Sequence, residues 1–332
     1  MSSETTTLPT HPAPTAMPPA GASAGFLEPD ALILASGERR FVPPAWPVLL
    51  IAFALILGSS SLDSGGNAQW GQVVVFAGLT VLWVGHGILR RSVGRSIAAE
   101  VAAVTTLEEL IQLRRWPEAA DLAQKVLSRP MYLRERRMAA LVSLATLLTR
   151  YHRFSDARIV HEYLLAGGDG ALMPDASTSH SLRVARAMGM LREDHLVDAD
   201  KAMSDLRREV NRARDEVRRE RGAEAALEVQ SAGLVLLELY RDVKTRHYEE
   251  ACENFDRSLA MLRQQLGLRV ADAWVLVAAA RDGLGQTEAA RLAYENATTL
   301  APALELQRRY PETQALADRY VAATWPAKAG QA

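Results

Sequence analysis

The chain is poor in cysteine, in aromatics and in net charge, and each shortage removes a class of function. One cysteine, Cys252, stands in 332 residues, so no intramolecular disulfide can form. It falls inside a helical pattern, where a free thiol serves as small apolar filler. Lys and Arg number 38 against 39 Asp and Glu, so whole-chain charge names no polyanionic partner. Residues 1–43 carry −2 and residues 44–89 only Asp63, leaving +2 for the rest. A near-neutral array is no electrostatic trap for nucleic acid.

The constellations of catalysis are missing too. His161-Glu162 resembles the start of a zinc-protease helix, but Leu165 stands where the second histidine must be, so the two-ligand face does not form. Gly167, Gly168 and Gly170 make a flexible loop with no strand before it and no lysine after it. His152, His180, His195 and His247 sit near turns without metal-ligand spacing. The expectation is a chain with no active site, no metal and no cofactor.

What is there begins with a tail. Residues 1–43 are rich in Thr, Pro, Ala and Ser without apolar periodicity, a composition that cannot offset the entropy of ordering. A disordered tail is expected there, and again over 325–332. Two uncharged runs follow, 45–62 and 70–89, each about 27–30 Å long as a helix and so matched to a bilayer's hydrocarbon core. The Ser- and Gly-rich stretch between them reads as a hairpin loop. Trp46 and Trp70 stand at the helix entries, and Ala54, Gly58, Gly78 and Gly85 offer small residues for the hairpin contact. Arg39, Arg40, Arg90, Arg91 and Arg95 flank the pair while the loop has no Lys or Arg. The expectation over 44–89 is therefore a transmembrane hairpin in the inner membrane, with both termini cytoplasmic.

From 96 to 324 the pattern is helical throughout, with apolar residues three and four apart and no strand signal. Five times a turn is followed by an acid and an alanine: Ala119, Ala157, Ala199, Ala251 and Ala290, separated by 38, 42, 52 and 39 residues. In the last copy Trp274, Val277, Ala278, Gly285, Ala290, Tyr294, Ala297 and Pro302 stand in register. Tyr248, Ala251, Phe255 and Leu259 supply the fourth copy, Trp116, Ala119, Ala123 and Pro130 the first, and Phe154 opens the second. These segments resemble tetratricopeptide repeats, antiparallel helix pairs that pack through small residues at fixed positions. Arg281 departs from the pattern, standing where the family's first helix carries a tyrosine. The periods exceed the family's 34 residues, through long helices or loops such as 167–178.

The fold class expected is all-α: a two-helix transmembrane hairpin followed by a solenoid of antiparallel helix pairs. Within it, 203–217 carries a short apolar seam among interleaved Arg, Asp and Glu, a salt-bridged face of an extended helix. The resemblance implies a groove that holds a peptide or helix from a protein partner, with Arg150, Arg183, Arg186 and Arg281 as candidate groove residues. The functional expectation is a membrane-tethered interaction scaffold whose other contact is the lipid bilayer. The alternative is a structural subunit recognised through its hairpin.

Overall fold

The computed structural model describes residues 27–37, 68–167, 175–221 and 231–324, and no strand forms among them. The chain divides into two compact units, Met1–His152 and Arg153–Ala332.

The first unit contains α1 (Pro29–Ala35), α2 (Ala68–Gln112), α3 (Trp116–Leu127) and α4 (Arg134–Arg150). The tight turn after α2 folds α3 back on it, and α4 packs on both. Leu107, Trp116, Ala119, Ala123 and Leu147 close the seam. Buried Glu100 of α2 accepts from the backbone N–H groups of Tyr132 and Leu133 at 2.9 and 3.0 Å, which seats the start of α4. Helix α1 lies within the stretch expected to lack structure. Leu27, Leu32 and Ile33 are buried, and buried Arg137 of α4 donates to the Ser36 Oγ and the Ile33 carbonyl. An apolar cluster too short to show periodicity is ordered by this anchor. Residues 1–26 and 325–332 lie outside the described residues.

The membrane hairpin is corrected. Among the described residues no helix is long and apolar enough to cross a membrane. The first expected span, 45–62, with Ala54 and Gly58, lies outside the described residues. The second, 70–89, is no element of its own. It is part of α2, which runs 45 residues unbroken past Arg90, Arg91 and Arg95 into the first repeat. No proline follows Leu89, the lone Gly94 does not break the helix, and Ala98, Ala99, Glu100, Ala102 and Ala103 are good helix formers that carry it on. The inner-membrane location and the bilayer contact rested on that hairpin and fall with it.

The second unit contains α5 (Phe154–Leu165), α6 (Ala176–Arg192), α7 (Leu196–Arg221), α8 (Ala232–Lys244), α9 (Tyr248–Leu266), α10 (Val270–Gly283) and α11 (Thr287–Leu300). Short helices α12 (Ala303–Arg309) and α13 (Gln314–Thr324) follow. Each of the pairs α6–α7, α8–α9 and α10–α11 packs on itself, and α8 touches both α6 and α10. Helices α6, α8 and α10 thus form a first layer, with α7, α9 and α11 as the second. Gly233 marks how near the first-layer helices come: a Cβ there would lie 2.9 Å from Val184 of α6.

The turns repeat more strictly than the helices. Arg114, His152, Asp194, Arg246 and Gly285 have φ of 59, 59, 61, 62 and 75°. Each stands five residues before one of Ala119, Ala157, Ala199, Ala251 and Ala290, all at most 2 % exposed. At four of the turns the following N–H reaches back five residues, as from Arg115 to Leu110 and from His247 to Asp242. This left-handed closure satisfies the last carbonyls of one helix while aiming the next helix back along it.

Candidate peptide-binding face

Contacts to the second layer show which way the first layer faces. On α8, Glu238 accepts from Arg207 of α7 at 2.6 Å and Asn254 of α9 at 3.3 Å, and Arg241 reaches Asp200 of α7 at 3.1 Å. At about 100° per residue, Tyr240 and Lys244 lie roughly 200° and 240° round the helix from Glu238. Tyr240 faces away from the second layer, and Lys244, about 60° from Arg241, stands at the edge of that face. On α10, Arg281 donates to Asp256 of α9 at 3.0 Å, and Asp272 lies about 180° from it on the same wheel.

That free face is covered by the chain itself, where Glu305–Glu312 crosses it. Arg309 pairs with Asp272 at 2.5 Å and with its own neighbour Glu305, and the Asp272 side chain is only 3 % exposed. The buried Tyr310 ring meets Tyr240 edge-on, 5.1 Å between centroids at 81°. Glu312 accepts from the Tyr240 hydroxyl at 3.2 Å and pairs with Lys244 at 3.2 Å. Lys244, its side chain 8 % exposed, also donates to the Leu191 carbonyl at 2.6 Å and pairs with Asp194 at 2.5 Å. Burial, reinforced by the Glu312 charge, pushes the Tyr240 hydroxyl well above its usual range, so it stays a donor. Arg192, at the end of α6, lies over the Phe154 and Tyr310 rings, 5.2 and 5.7 Å from their centroids. Its Nε is buried with no hydrogen-bond acceptor.

The arginines expected in a groove are not brought together. Arg150 belongs to the first unit, its guanidinium stacked 5.0 Å over the Trp116 ring. Arg183 turns toward the second layer and pairs with Glu209 of α7 at 2.8 Å. Arg281 likewise faces α9. Arg186 borders buried His161; burial, with that charge beside it, holds the imidazole down at about 4. Arg183, Arg186 and Arg281 sit on first helices of their pairs, but the face they occupy depends on the helical wheel. Reading Arg281 as facing the second layer would have put Asp272 on the opposite side, and the same count leads from Glu238 to Tyr240.

Several of the expected packing residues touch rings on other helices. Trp274 meets Phe255 edge-on at 4.8 Å, and Tyr294 lies 5.9 Å from Tyr320. Phe154 and Tyr248 are half-buried, and Pro302 caps the start of α12. Tyr248 explains a glycine that the repeat pattern did not single out: a Cβ on Gly283 would sit 2.4 Å from its ring. Among the described residues no group of three His, Cys, Asp or Glu is placed to hold a metal ion. Family models, curated proteins and solved structures give no match to this chain.

Proposed function

We propose that this chain is a tetratricopeptide-like helical-repeat scaffold with a binding role, and that the first-layer face of its second unit receives a segment of a protein partner. One observation carries the reading. Asp272, Tyr240, Arg192 and Lys244 already hold a peptide segment, through a guanidinium pair, an aromatic contact and a carboxylate pair. Polar side chains that converge on a peptide give orientation and register, while the aromatic contributes the buried area.

The test is affinity capture with the full chain as bait, beside a Lys244→Glu, Arg192→Glu double variant whose helical signal matches the parent. A protein retained by the parent at moderate salt and lost by the variant supports the reading. Identical retained proteins from both baits would remove this face from the function.

A further inference from the structure

Resting on that reading, we propose that Glu305–Glu312 is a displaceable internal occupant of the first-layer face. The partner is then a peptide presenting a basic residue, an aromatic and an acid in the order of Arg309, Tyr310 and Glu312.

Three features set this segment apart from the paired helices before it. It is tethered by a break: Ala301 is extended at φ −146° and ψ 145°, and Pro302 follows at φ −58° and ψ 134°. The helix that carries it is only seven residues long and turns Leu304, 57 % exposed, to solvent. Leu306 and Tyr310 are buried in the core, but around them the hold is polar, and a buried ion pair gives up much of its attraction to desolvation. Arg309–Asp272 and Glu312–Lys244 therefore favour one register over others more than they add net stability.

The segment also leaves the face incompletely satisfied. Arg192 has two ring neighbours and no acceptor for its buried Nε, and the Nε of Arg309 is equally without one. An incoming peptide with a carboxylate within reach of Arg192 would satisfy a donor that the internal segment does not. Both cationic groups on the receiving side, Arg192 and Lys244, then meet acids, while Asp272 keeps its guanidinium. The apolar anchor sits beside them, because Leu306 is fully buried one helical turn before Tyr310.

The probe is a fluorescent peptide with the sequence of residues 303–313, titrated into the full chain. In wild type the site is filled and the peptide competes with its own copy. In a Tyr310→Ala, Glu312→Gln full-chain variant the face is vacated while every receiving residue is kept. If the vacant state is about a tenth of the wild-type population, the probe binds that variant about tenfold more tightly. Adding Lys244→Glu should abolish the gain. A folded variant that binds the probe no better than wild type overturns the proposal, as does a gain that ignores Lys244→Glu. Should the variant not fold, amide exchange on wild type decides. Excess probe should speed exchange in 303–313, and unchanged exchange at saturating probe overturns the proposal. A partner captured through Lys244 and Arg192 while these experiments fail would leave the scaffold reading standing and remove only the internal occupant.

Discussion

Arg246 holds a backbone conformation that costs an L-residue about 1 kcal/mol and that glycine adopts freely. Its side chain is exposed and its φ is 62°. Arg246→Gly should therefore stabilise the second unit by about 0.5–1 kcal/mol, the usual gain at a left-handed C-cap. Chemical denaturation reads this as a higher midpoint at unchanged slope. His161 sets a second expectation. Its imidazole is lowered from 6.5 to about 4 in the fold, by burial first and Arg186 second. Between those values the unfolded chain binds the extra proton, so stability rises with pH across the window and falls on acidification. The limiting slope is about 1.4 kcal/mol per pH unit. Thermal midpoints should drop between pH 6.5 and 5, and His161→Met should flatten the drop. A parent and variant with parallel pH curves would mean that His161 is not the titrating group.

Among the elements, α4 depends on a carboxylate far away in sequence. Glu100 satisfies two N–H groups at the entry to α4 that would otherwise be left open at a helix start. Glu100→Ala should cost about 1–3 kcal/mol, because the orphaned donors lose charge-assisted bonds. Hydrogen exchange at Tyr132 and Leu133 should rise before any other part of the first unit. Helix α1 shows what local reading misses. Its seven residues bury Leu32 and Ile33 only because Arg137, about a hundred residues on, ties down Ser36 and the Ile33 carbonyl. Composition alone sees Pro, Ala and Ser around a brief apolar cluster. The second apolar run misled in the opposite direction. An uncharged window of bilayer length is a property of 20 residues, whereas α2 is an element of 45.

For the whole molecule, helicity was legible because Ala, Leu, Glu and Arg at three- and four-residue spacing have few other uses. The alanines at 119, 157, 199, 251 and 290 were legible as small residues where helices cross, and each is buried. The candidate face was not. It is assembled by Asp272 and Tyr240 on two first-layer helices and by a segment that returns across them, and nothing in the neighbouring sequence announces that return. Arginines on first helices carried no sign of which side they faced. That was set by acids elsewhere in the chain, such as Glu209 and Asp256.

The left-handed turns bear on how such a chain tolerates change in length. Register is stored in the five residues from each turn to its alanine, so growth at the far end of a helix leaves the crossing untouched. Helix α7 has 26 residues where α5 has 12, a difference of nearly four full turns, and its buried residues end at Leu206. Past Val210, which still packs against the core, most of the helix is exposed overhang. One residue inserted between Arg246 and Ala251 would instead rotate that alanine by about 100° out of its seam. The repeat is thus a joint of fixed geometry with arms of free length, and lineages can alter reach without altering fit.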